Sequence, residues 1–71
     1  MGRDYEIIGW VLMSKDGALK TKNVDVKLSD DKKGFFYNNK KYPPGLYYLI
    51  RRKGRVGLIS DEFLSSVSSY D

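Results

Sequence analysis

Between Lys32 and Ser60 stand eight basic residues, Lys32, Lys33, Lys40, Lys41, Arg51, Arg52, Lys53 and Arg55, without one aspartate or glutamate among them. The same stretch holds six of the chain's ten aromatic residues: Phe35, Phe36, Tyr37, Tyr42, Tyr47 and Tyr48. Lysine and arginine neutralise phosphate, and flat rings stack on bases, so this pairing of residue types suits a polyanion with stackable faces. The segments on either side are net acidic, which concentrates the formal charge of +4 in this block.

Other chemistries lack their reagents. The chain has no histidine and no cysteine, so it offers no general base near neutral pH, no thiolate nucleophile, no disulfide and no ordinary zinc site. The adjacent acids Asp30-Asp31, beside Lys32 and Lys33, read as a solvated loop, and their spacing is not that of a calcium loop. Phosphate-binding glycine motifs are absent. Gly54-Arg55-Val56-Gly57 has the letters of the KH-domain clamp, but that clamp joins two helices and these residues fall in a hairpin. The expectation is a protein that binds and does not catalyse, with no cofactor and no metal.

The elements that must position the basic block are short strands. Seventy-one residues make one domain, 1–71, with a thin core and no cysteine to staple it. Tyr5 to Met13 is apolar on both faces after Glu6, the pattern of a central strand, with Gly9 marking a bulge and Trp10 in the core. Asp16-Gly17 turns the chain, and Val24, Val26 and Leu28 alternate with Asp25 and Lys27 as a half-buried strand does. Phe35–Tyr37 and Lys40–Tyr42 read as a hairpin closed by Asn38-Asn39, with Phe35, Tyr37 and Tyr42 facing a core and Phe36 beside Lys41 outside. Pro44-Gly45 suits a type II turn. Leu46–Arg51 and Arg55–Ile59 form a second hairpin across Arg52-Lys53-Gly54. Ser60 is placed to cap a short helix with Asp61 and Glu62 in its first turn, and the serine-rich tail after about residue 67 is expected to fray.

The fold expected is mainly β: a small antiparallel SH3-like barrel, or a curved sheet of five to six short strands, with a short C-terminal helix. Gly57-Leu58-Ile59-Ser60-Asp61-Glu62-Phe63-Leu64 resembles the last strand of an SH3-like barrel. The resemblance spans eight residues and implies architecture alone, since the acidic and aromatic motifs of peptide-binding SH3 domains are absent.

A three-residue loop in the second hairpin predicts Ile50 opposite Val56 and Tyr48 opposite Leu58. Leu46, Tyr48, Ile50, Val56 and Leu58 then face the core, and Tyr47, Leu49, Arg51, Arg55 and Ile59 face outward. The candidate nucleic-acid-binding residues are accordingly Lys40, Lys41, Tyr47, Arg51, Arg52, Lys53 and Arg55. The alternative is a protein-interaction module, an adaptor or a phage or mobile-element inhibitor, that sets this basic face against an acidic partner surface. No apolar run approaches the roughly 20 residues of a spanning helix, and the N-terminus has neither a secretory nor a myristoylation pattern, so a cytoplasmic protein without a membrane partner is expected.

Overall fold

The computed structural model describes residues 5–68, the side chains of 65–68 excepted. Along these residues run β1 (Glu6–Met13), β2 (Leu19–Lys22), β3 (Lys27–Leu28), β4 (Phe35–Tyr37), β5 (Lys40–Tyr42), β6 (Gly45–Arg52), β7 (Arg55–Ser60) and α1 (Asp61–Ser68). The chain is mainly β. Its strands make two antiparallel sheets, β2-β1-β6-β7 and β3-β4-β5, which share no strand, and no closed barrel forms among the described residues.

The sheets meet through an aromatic cluster. Phe35 is fully buried, stacks on Tyr42 with ring centroids 5.3 Å apart, and receives Tyr47 edge-on at 5.3 Å. Val11 and Met13 of β1 complete the buried centre, and Leu19, Val24, Val26, Leu28, Tyr37 and Leu58 pack around it. Each such aromatic pair adds about 0.5–1.5 kcal/mol beyond the area it removes from water. The first hairpin forms as its sequence predicts. Asn38 and Asn39 take φ of 51° and 65°, the left-handed pair a type I′ turn requires, and Phe35 pairs with Tyr42 across it.

Three elements differ from the sequence reading. Leu19–Lys22 is a strand, paired with β1, where the sequence reading assigned no element. Of the Val24–Leu28 strand, only Lys27 and Leu28 make a ladder, with β4. Val24, Val26 and Leu28 still pack on the core, so the alternation reports burial rather than pairing: β2 already occupies the edge of β1. Pro44 is a bend, and Gly45 opens β6 at φ 153° instead of closing a type II turn.

Gly9 lies where the β1–β6 register shifts, between Ile7 and Gly9, and it is the point where β1 and the chain after β2 touch. A Cβ there would stand 2.5 Å from the Lys22 carbonyl oxygen and 2.9 Å from a Val24 methyl. Gly9→Ala therefore has to push backbone, and is expected to cost about 2 kcal/mol. In a domain this small that lowers the melting temperature by roughly 8–16 °C; an unchanged thermal melt would contradict the close approach.

The loop between β3 and β4 is built, not merely solvated. Asp31 accepts hydrogen bonds from the Ser29 hydroxyl at 2.6 Å, the Lys33 amide at 3.0 Å and the Lys41 ammonium at 3.1 Å. These bonds, the serine's foremost, hold its carboxyl well below the usual carboxylate range. The native state thus binds this proton less readily than the unfolded chain. The resulting stability is present above the ordinary carboxylate value, near pH 4, and is lost as pH falls further toward the native value. Melting temperature against pH should fall more steeply below about pH 4 for the wild type than for Asp31→Asn; parallel curves would contradict this assignment.

At the other end Ser60 caps α1, its hydroxyl accepting from the Phe63 amide at 3.2 Å, with Asp61 and Glu62 in the first turn as expected. Leu64 is buried, whereas Phe63 is 58 % exposed. Of the tail expected to fray after about residue 67, Ser68 still belongs to α1 and 69–71 lie outside the described residues. No helix among the described residues is long and apolar enough to cross a membrane.

Candidate nucleic-acid interface

The second hairpin turns through two residues, not three. Lys53 and Gly54 occupy the turn at φ 52° and 77°, and Arg52 pairs directly with Arg55. That single-residue difference moves every side chain of β7 to the other face relative to β6. Tyr47 now pairs with Ser60, Tyr48 with Ile59, Leu49 with Leu58 and Ile50 with Gly57. Tyr47 and Leu49 therefore point into the core and Leu46, Tyr48 and Ile50 away from it, the reverse of the expected facing. The fully buried Phe35 decides the matter, because its ring needs Tyr47 as a wall.

The residues singled out in the sequence separate accordingly. Tyr47 is 7 % exposed, its hydroxyl donating to the Pro43 carbonyl at 2.8 Å; it has no face left for a base. Arg51 lies on the inner side of β6, its Nε and Nη2 both donating to Glu6 Oε1 at 3.1 and 2.5 Å. Lys41 is bridged to Asp31, and Lys40 sits 5.4 Å from the centre of the Tyr42 ring, on the small sheet. Arg52, Lys53 and Arg55 remain together at the exposed tip of the β6–β7 hairpin. Lys53 holds a left-handed backbone that Asn or Gly would adopt more cheaply, by about 1 kcal/mol.

What gathers around that tip was not foreseen. On the outer face of the four-stranded sheet, cross-strand neighbours form the row Lys22–Trp10–Tyr48–Ile59, and beside it the row Lys20–Leu12–Leu46. Trp10, expected in the core, is only half-buried and stands next to Tyr48 on this face. Ile50 follows Tyr48 outward, opposite Gly57, whose missing side chain leaves open space. Beyond them lies the pair Arg52–Arg55. Two rings and a few aliphatic side chains are thus framed by lysines on the β2 side and arginines at the hairpin tip. Burial, and then a hydrogen bond to Asp61 at the helix start, push the Tyr48 phenol above its ordinary value.

The sequence did carry a signal for this face. Leu19, Lys20, Thr21 and Lys22 alternate, and Trp10 and Leu12 alternate with apolar Val11 and Met13. A strand that is apolar on both sides leaves open which side is covered. Comparison with known proteins adds no assignment: no family model, no curated protein and no solved structure matches the chain.

Proposed function

We propose that the protein is a non-catalytic module that binds single-stranded nucleic acid across the outer face of its four-stranded sheet. The observation that carries this reading is the row Lys22–Trp10–Tyr48, with Arg52 and Arg55 farther along the same face. Trp10 and Tyr48 offer successive stacking surfaces, each stacked base contributing about 1–3 kcal/mol. Lys20, Lys22, Arg52, Lys53 and Arg55 take the phosphates. A sheet face reads an unpaired strand more readily than a duplex, whose bases are already stacked inside. As part of this reading the chain works in the cytoplasm, and its lack of histidine and cysteine fits a role without chemistry.

Trp10 is the chain's one tryptophan, so its fluorescence reports on the site directly. Adding a mixed-sequence single-stranded oligonucleotide should quench it. The binding constant should fall with salt at a logarithmic slope of about −3.5, near 0.7 for each phosphate met by the five basic side chains. Unquenched fluorescence at low salt, or affinity indifferent to salt, would overturn the reading.

A further inference from the structure

We propose that the open edge of β7 pairs with β7 of a second copy of this chain, giving a two-fold dimer with one continuous eight-stranded sheet. The proposal is independent of what the outer face binds. Among the described residues β7 ends its sheet and pairs only with β6. In a hairpin with a two-residue turn, the residues flanking the turn form a hydrogen-bonded pair, and such pairs recur at every second position. Arg55, Gly57 and Ile59 therefore direct their backbone groups to β6, and Val56 and Leu58 direct theirs to the open edge.

The two edges of the sheet are guarded differently. β2 presents exposed Lys20, Thr21 and Lys22, the kind of charged edge that resists strand addition. β7 has no charge from Val56 to Ile59. Along it runs a groove of about 650 Å³, lined in part by Tyr42, Ile50, Leu58 and Ile59, with Val56 and Phe63 respectively 49 % and 58 % exposed.

Charge selects the occupant. Arg55 opens the strand, and Asp61 and Glu62 follow its end. A uniformly acidic peptide laid along β7 would gain Arg52 and Arg55 but meet Asp61 and Glu62; a basic one would meet the reverse. An antiparallel copy satisfies both ends. With Leu58 opposite Leu58 on the two-fold axis, Val56 falls opposite Ser60 of the second copy, on the side where Phe63 lines the groove. Arg55 comes level with Asp61 of the second copy, and symmetry makes that pair twice. The outer faces of the two sheets then run together, each keeping its own Trp10 and Tyr48.

Light scattering on the size-exclusion peak of the full chain tests this. At sub-millimolar concentration the wild type should run at twice 8.2 kDa. Arg55→Asp and Asp61→Lys should each give monomers, since each sets like charges against one another. An equimolar mixture of the two should return to the dimeric mass, because every cross-copy pair then joins opposite charges. Val56→Lys, at an exposed position on the inner side, should also be monomeric while leaving the outer face untouched. Circular dichroism establishes that each variant is folded; if Asp61→Lys is not, Arg55→Asp and Val56→Lys decide alone. A monomeric wild type, a folded Arg55→Asp or Val56→Lys variant that stays dimeric, or a mixture of folded variants that stays monomeric would overturn the proposal.

Discussion

Phe35→Ala should leave the protein largely unfolded at room temperature. Phe35 has no exposed surface, stacks on Tyr42 and is met edge-on by Tyr47, so the small sheet is fastened to the large one through this ring. Truncating a buried phenylalanine costs about 3–5 kcal/mol, because the contacts go and the cavity collapses only in part. A single core in a chain of this size rarely supplies more than about 3–5 kcal/mol in all. No disulfide compensates, since the chain has no cysteine. Far-UV circular dichroism and amide shift dispersion measure the outcome; a dispersed spectrum with a melting temperature within a few degrees of wild type would show that the two sheets are held together by something else.

The second large effect concerns binding. Trp10→Leu keeps an apolar side chain on the outer face but removes the ring, and affinity for a single-stranded oligonucleotide should fall roughly 5- to 150-fold, the equivalent of one stacked base. Tyr48→Leu should act similarly. Lys40→Ala should change affinity less than twofold, because Lys40 belongs to the small sheet, against Tyr42. Melting temperatures measured alongside separate lost binding from lost fold. Equal losses for Trp10→Leu and Lys40→Ala would mean that charge alone, and not the ringed face, holds the strand.

How far the sequence could be read depended on what each segment had to decide. The Asn38-Asn39 hairpin was legible because its turn and its faces are fixed locally, by residues that tolerate positive φ and by a register that sets Phe35 against Tyr42 and Phe36 against Lys41. The Ser60 cap was legible for the same reason. The second hairpin was not, because Arg52-Lys53-Gly54 is compatible with either a two- or a three-residue turn. One residue there decides which face of β6 meets the core: Val56 and Leu58 keep the inward facing and Arg55 the outward facing expected of them, while Leu46, Tyr48 and Ile50 are reversed. Nor could local pattern assign Tyr47 and Tyr48, adjacent rings in a strand apolar on both sides: only Phe35, from the other sheet, makes Tyr47 the buried one. Trp10 was misplaced by the same ambiguity in β1. The basic block was visible in composition, but Lys20 and Lys22, which frame the outer face, lie outside it. Lys41 and Arg51 lie inside the block yet are engaged by Asp31 and Glu6.

The most direct test of the central claim is an amide and side-chain NMR titration of the labelled protein with a mixed single-stranded oligonucleotide, at low and at moderate salt. The proposed face predicts shifts at Trp10, including its indole N–H, and at Lys20, Lys22, Tyr48 and Arg52–Arg55, fading as salt rises. A silent spectrum at low salt, or shifts confined to Lys40 and Lys41 with the indole unmoved, would contradict it.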